Sequence, residues 1–318
     1  MPEQTPTKLA EGTVFRVQSG NYSVQTETHG VVVGKLRGNL KKELIYSTSG
    51  SRPQRVQQAR KRRSTDPLAV GDRVRVDTER GTIDEILPRH AELARLLPES
   101  REQHVLVANL DRLFVVFAVN PRPDLWQLDR FLVMAEAADI PASVVLNKVD
   151  LLTEEDMGLR EQLAVYERIG YPVLFVSARA GLGLETLRAG MQGRITAFAG
   201  PSGVGKSSLL NALKPGLRLR VGEVGDVTRQ GRHTTTTAEL IPFADDSWIA
   251  DTPGLRQVNF WQVDKEDVPL CFPEFAPYRD RCRFNNCRHH TELGCAVRAA
   301  AEAGIIDSRR YQSYVQMT

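Results

Sequence analysis

What the sequence lacks narrows it first. Among 318 residues the longest uninterrupted apolar run covers only residues 113–119. A helix crossing a bilayer needs about 20 apolar residues, so no helical span is expected. Met1-Pro2-Glu3-Gln4 brings neither a basic segment nor an apolar one, which predicts no secretory leader and a cytoplasmic location. Cysteine is scarce: four residues, all between Cys271 and Cys295. In a reducing cytosol this excludes a disulfide-held fold and points to a local Cys/His metal site. There is no internal repeat. With 41% hydrophobic and 25% charged residues, the chain is neither disordered nor fibrous, and its length suggests about two domains. Nor is there a large charge of one sign overall. The balance is uneven, however: residues 1–100 hold 17 Lys and Arg against 12 Asp and Glu, and residues 101–318 hold 25 against 27. The whole basic excess lies in the first third, a pattern that fits a polyanionic partner.

Three parts are expected. In residues 1–97, short β-like stretches at 13–17, 22–26, 31–36, 72–77 and 82–87 are separated by glycine turns, which predicts a five-stranded barrel such as an OB-fold. Between them residues 52–63 carry six basic residues and no acid, and read as a basic loop. In residues 98–262, strands at 113–119, 142–146, 173–176, 195–199 and 248–250 alternate with helices at 125–138 and 154–169, the pattern of a parallel sheet with helices on both faces. Residues 263–318 hold the cysteines and two short helices, 295–303 and 308–317.

Gly200-Pro201-Ser202-Gly203-Val204-Gly205-Lys206-Ser207-Ser208 fits G-x-x-x-x-G-K-[ST] between a predicted strand and a predicted helix. Such a loop turns its backbone N–H groups onto phosphate, its lysine reaches the β and γ phosphates, and Ser207 holds Mg²⁺. Asn147-Lys148-Val149-Asp150 follows a strand. A carboxylate there can accept the two N–H donors on guanine N1 and N2, which adenine does not offer. Ser177-Ala178 follows the next strand, and Asp251-Thr252-Pro253-Gly254 follows the strand 248–250 as D-x-x-G, whose Asp supports Mg²⁺ and whose Gly N–H meets the γ-phosphate. Gly231-Arg232-His233-Thr234-Thr235-Thr236 lies where a switch threonine belongs. Thr235 is chosen as its Mg²⁺ ligand, with Thr234 and Thr236 open. The motifs run base-side first and phosphate loop later, the reverse of ordinary GTPases. One sheet can be built either way when old termini are joined and new ones cut.

With these residues, and with Ala108-Asn109-Leu110-Asp111 and Leu128-Asp129-Arg130-Phe131-Leu132, the chain resembles the RsgA (YjeQ) family of circularly permuted GTPases over essentially its whole length. The resemblance implies a multidomain α/β protein: an N-terminal OB-fold, a central circularly permuted P-loop GTPase domain, and a small α-helical zinc-binding domain. It also implies GTP hydrolysis stimulated by the small ribosomal subunit (30S) during late maturation. In GTPases the N–H at the position of Ala178 meets guanine O6. After D-x-x-G, where Ras-like enzymes place a water-orienting Gln, stands Leu255. His233 is the catalytic candidate beside Lys206, the resemblance points the same way, and Gln257 is the alternative.

Cys282-x₄-Cys287-x-His289-x₅-Cys295 offers three thiolates and an imidazole, a closed tetrahedral set for one structural Zn²⁺ per chain, at the spacing the family uses. Cys271 is read as a buried small apolar residue. For RNA contact, Arg60, Lys61, Arg62 and Arg63 are the candidates, with 16S rRNA the implied partner. Arg279, Arg281, Arg283 and Arg288 around the cysteines are a second group. A monomer is expected. Two rival readings stay open: an assembly scaffold that binds nucleotide but scarcely turns it over, and a GTPase acting on another RNA such as a transfer RNA.

Overall fold

The computed structural model describes residues 9–18, 20–37, 68–96, 103–217, 238–244, 246–251 and 263–318. They fall into two compact units, one drawn from residues 1–110, 193–195 and 231–254, the other from 111–192, 196–230 and 255–318. Among the described residues no helix is long and apolar enough to cross a membrane.

The first unit begins with β1 (Leu9–Gln18), β2 (Asn21–Thr26), β3 (Gly30–Leu36), β4 (Arg73–Asp77) and β5 (Thr82–Ile86). Residues alternate between core and solvent along β2, with Tyr22, Val24 and Thr26 turned inward. The strands close on themselves: β1 pairs with β2 and β4, β2 with β3, β4 with β5, and β3 runs parallel to β5 through Lys35↔Thr82 and Leu36↔Ile83. Val14, Val24, Val74, Val76 and Ile83 fill the barrel. This is the five-stranded OB-type closure that the alternation predicts. Arginines on the wall are ion-paired, Arg73 with Glu11 and Glu27, Arg75 with Glu11 and Glu85. The described residues up to 96 contain eight Lys and Arg and eight Asp and Glu, so the net charge of +5 in residues 1–100 comes entirely from the remainder of that stretch. Arg60, Lys61, Arg62 and Arg63 lie outside the described residues.

Next comes a pair of strands that was not expected. β6 (Glu92–Leu96) pairs with β7 (Gln103–Ala108), and residue 97 falls between them. The sequence of β6, Glu-Leu-Ala-Arg-Leu, favours helix by propensity; pairing overrides it. Beyond β7, the buried Asn109 accepts a hydrogen bond from the His90 N–H and donates to the Gly71 carbonyl at 2.9 Å each, tying the strand end to the barrel. This gives Asn109 a physical role in the Ala-Asn-Leu-Asp run.

The second unit alternates β8 (Arg112–Ala118), α1 (Leu125–Ala137), β9 (Ala142–Asn147), α2 (Met157–Ile169), β10 (Val173–Phe175), α3 (Leu184–Met191), β11 (Ile195–Ala199) and α4 (Lys206–Leu213). β11 is parallel to β8, β8 to β9 and β9 to β10. Every residue of β9 is buried, as expected of a parallel strand covered on both faces. Asp124 caps α1 by accepting the N–H groups of Trp126 and Gln127. α2 begins three residues later than predicted, because Thr153 and Asp156 form a reciprocal cap around a 3₁₀ turn at Glu154–Asp156. The hairpin β12 (Glu239–Ala244) and β13 (Ser247–Asp251) belongs to the first unit, where β12 meets β1 at Arg16↔Glu239 and Trp248 stacks on Phe15. The end of the chain forms α5 (Ala276–Arg279), α6 (Ala296–Glu302) and α7 (Ser308–Met317). Its core of Phe272, Phe275, Val297 and Tyr314 is not its own alone: Val133 of α1 packs into the same cluster.

A candidate nucleotide pocket and a candidate metal centre

The loop between β11 and α4 is shaped by two glycines. Gly200 has φ 135° and Gly205 φ 92°. A Cβ on Gly200 would lie 2.1 Å from the Val116 carbonyl oxygen, and one on Gly205 2.5 Å from Asn147 Nδ2. Backbone angle and space both demand glycine there. Pro201, Ser202, Gly203 and Val204 complete the turn, and Lys206, Ser207 and Ser208 form the first turn of α4, whose positive end suits an anion. The Lys206 ammonium donates to the carbonyls of Gly200 and Pro201 at 2.7 and 2.6 Å, curling over its own loop.

The base-side turns meet this loop. Asn147, 1% exposed at the end of β9, donates through Nδ2 to the Val204 carbonyl at 2.9 Å and accepts the Ala178 N–H at 3.2 Å. Lys148, with φ 62°, donates to the carbonyls of Gly203 and Asn120 at 2.9 and 2.7 Å. The Asp150 carboxylate accepts the Ser177 hydroxyl, and Ser177 Oγ accepts the Ala180 N–H at 3.0 Å. Asn147 therefore stitches the turns together through both ends of its amide, and Lys148 does so by donating twice. A cavity of about 300 Å³ opens where the turns converge, lined by Asn147, Lys148, Asp150, Ser177, Ala178, Gly205 and Ser208, a size suited to one small planar ligand. Leu151 and Arg179 also line it and were not anticipated as site residues; each directly follows a motif residue, which was the available signal. Asp251 is exposed at the end of β13, in the first unit. His233, Thr235 and Gly254 lie outside the described residues, as do Thr234, Thr236, Leu255 and Gln257.

The sulfur cluster is compact. One donor atom from each of Cys282, Cys287, His289 and Cys295 lies within 4.8 Å of the others. His289 Nδ1 is 3.5 Å from the sulfurs of Cys282 and Cys295, which are 4.0 Å apart. Bonds of about 2.0–2.3 Å to a tetrahedral centre set donors close to those separations. The N–H groups of Ala296 and Arg298 point at the Cys282 and Cys295 sulfurs, at 3.4 and 3.3 Å. Burial pushes the Cys287 thiol up to about 12 and the Cys295 thiol in the same direction, and it lowers His289. The imidazole is thus neutral and ready to ligate, while the thiols need a cation to hold them as thiolates. The group can bind a metal, and its donor set fits a soft tetrahedral one. Cys271 is buried in the apolar cluster and is not in the group. His290 Nε2 meets the Thr318 hydroxyl instead.

A parallel sheet that carries base-side turns after β9 and β10 and a phosphate loop after β11, with the base-side turns earlier in the chain, defines a circularly permuted P-loop GTPase. Comparison with known proteins then narrows the class. The sequence profile described as RsgA GTPase matches residues 86–261. The chain is 44% identical to the "Small ribosomal subunit biogenesis GTPase RsgA" of Gemmatimonas aurantiaca over 98% of its own length and 97% of that protein. It is 41% identical to the protein of that name from Moorella thermoacetica, over 96% and 95%. Its fold is similar to the crystal structure of YjeQ from Thermotoga maritima, with TM-score 0.76, 32% identity and 97% of each chain covered. It is also similar to YloQ, described as a circularly permuted GTPase, with TM-score 0.70, 30% identity, and 97% and 93% covered. The chain belongs to the RsgA GTPase family and is a GTP-hydrolysing enzyme.

Proposed function

We propose that this GTPase acts in late maturation of the small (30S) ribosomal subunit, hydrolysing GTP to GDP and phosphate when the subunit stimulates it, and leaving afterwards. The nucleotide part of the reading is carried by the convergence of Asn147, Asp150, Ser177 and Gly205 on one cavity, and the subunit part by the names of relatives matched over nearly the full chain. Asn147, Lys148, Asp150, Ser177 and Ala178 bind the guanine side of GTP, with Asp150 and the Ala178 N–H reading the base. Residues 200–205 with Lys206 and Ser208 cradle the phosphates. Ser207 and Thr235 ligate Mg²⁺, Asp251 supports it, and Gly254 contacts the γ-phosphate. Lys206 stabilises charge in the transition state and His233 orients the water. Cys282, Cys287, His289 and Cys295 hold one structural Zn²⁺. Residues 1–97 serve RNA binding, 98–262 the GTPase and 263–318 the zinc domain, in a cytoplasmic monomer. Arg60, Lys61, Arg62 and Arg63 contact 16S rRNA; they fall in the part of the first 100 residues that carries all its excess charge.

The test is phosphate release with and without purified small subunits, across a salt series. Stimulation should be abolished in Lys206→Ala. Neutralising Arg60 to Arg63 should flatten the salt dependence of subunit binding. Release that subunits leave unchanged would favour the scaffold reading and reject the enzyme's proposed trigger. His233→Ala should lower stimulated turnover by about 10²-fold with GTP affinity nearly intact; equal turnover at saturating GTP removes His233 from catalysis.

A further inference from the structure

One helix, α7, touches both the metal cluster and α1. We infer that α7 works as a strut with two grips: Tyr311 and Tyr314 position the metal ligand His289, and Arg309 and Arg310 fasten the same helix to α1, so that metal binding and the ordering of α1 are linked. The inference rests on reading the cysteine cluster as a metal centre.

At the cluster, His289 has a left-handed backbone, φ 59°. A residue with a side chain keeps that conformation only where its surroundings hold it. Here α7 holds it. The Tyr311 hydroxyl donates to the His289 carbonyl at 2.7 Å, and the Tyr314 hydroxyl donates to the carbonyl of Arg288, just before it. The imidazole also lies against two rings, Phe275 at 6.1 Å between centroids and Tyr314 at 6.4 Å. Partners beyond the donor atoms fix a ligand's orientation, and losing them weakens metal binding.

At the other grip, the fully buried Asp129 of α1 accepts Arg309 and Arg310 at 2.8 Å each and the Tyr166 hydroxyl at 2.6 Å. Arg310 turns its remaining nitrogens to Glu274 at 2.8 and 3.1 Å. Phe272 joins the grips. The Arg310 guanidinium lies 4.5 Å over its ring, and Tyr314 packs edge-on to it at 5.5 Å. The helix start is itself fixed, because Asp307 accepts the Arg310 N–H at 3.0 Å. Residues 309–314 thus connect the half-buried metal cluster to a buried ion-pair network with little slack, and a coupling between two sites acts in both directions.

The experiment uses the full chain, stripped and reloaded with Co²⁺, whose absorption reports tetrahedral thiolate ligation, with affinity for Zn²⁺ read by competition against a chromogenic chelator. Tyr311→Phe and Tyr314→Phe should each weaken metal binding about tenfold. Asp129→Asn, whose bonds reach none of the four donors, should weaken it about fivefold. Conversely, removing metal from the unaltered protein should speed amide exchange in residues 125–137. Unchanged metal affinity in both tyrosine variants overturns the positioning role. Unchanged affinity in Asp129→Asn, or α1 exchange indifferent to metal, overturns the linkage; the exchange measurement decides alone if Asp129→Asn does not fold. An unaltered protein that takes up no Co²⁺ overturns the metal reading instead.

Discussion

Asp150→Asn is expected to lose GTP by about 10⁴-fold, while affinity for xanthosine triphosphate rises. A site built to pair a ligand's polar groups rejects an analogue that leaves them unpaired by about 10⁴–10⁵. Guanine presents two N–H donors to the carboxylate. One Asp150 oxygen already accepts the Ser177 hydroxyl, yet a carboxylate has about four lone-pair sites and can accept the base as well. An asparagine amide sets an NH₂ against the guanine NH₂, donor against donor. Xanthine carries a carbonyl at that position and restores the pair, and the Ser177 hydroxyl can still donate to the amide oxygen. Binding of GTP, xanthosine triphosphate and ATP to the variant checks this. Undiminished GTP binding would remove Asp150 from base recognition. Asn147→Ala is the contrast: its amide joins loops, so all three nucleotides should weaken together.

That contrast marks how far the sequence could be read. The phosphate loop, Asp150, Ser177 and the four metal donors stand out because their chemistry fixes residue type and spacing within a few positions. The barrel stands out because β1 to β5 keep the two-residue period of a half-buried strand. What was hidden is non-local. Asn147 and Lys148 read as nucleotide contacts, and they line the cavity; what the sequence did not show is that they also stitch the turns by bonding Val204, Gly203, Ala178 and Asn120. β12 escaped because Pro242 interrupts it, and a proline inside a run demotes a strand. α3 is eight residues long with two buried side chains, too little for a clear helical stripe. Those same stitches explain why the inverted motif order costs nothing in chemistry. β11 lies parallel beside β8, and β8 beside β9, so the turns meet through side chains and backbone pairing, whichever segment the ribosome makes first.

Asp129→Ala is expected to destabilise the second unit by about 3–5 kcal/mol, although Asp129 belongs to no recognised site. Asp129 and Arg310 are both fully buried; Arg310 keeps Glu274, so what the change leaves behind is an unpaired buried N–H, which costs about 1–3 kcal/mol and more on a charged group. Burial alone would lower the Arg310 pKa, but Glu274 and Asp129 hold it above its ordinary value, so the guanidinium stays charged and cannot escape the loss by deprotonating. Tyr166 would also lose its acceptor, and its hydroxyl, kept protonated by burial and by Asp129, would remain a buried donor. Arg309 is 30% exposed and can turn to water, which keeps the cost from being larger. The pair's net worth is a separate matter. Replacing Asp129, Glu274 and Arg310 together by apolar residues of similar volume should cost far less than the single change, because it removes the desolvated charges along with their attraction. Urea unfolding of the single and triple variants measures both. A single variant within about 1 kcal/mol of the parent, the range of exposed pairs, would mean that water reaches Asp129 and that α7 is held to α1 by the apolar cluster that Val133 and Tyr314 share.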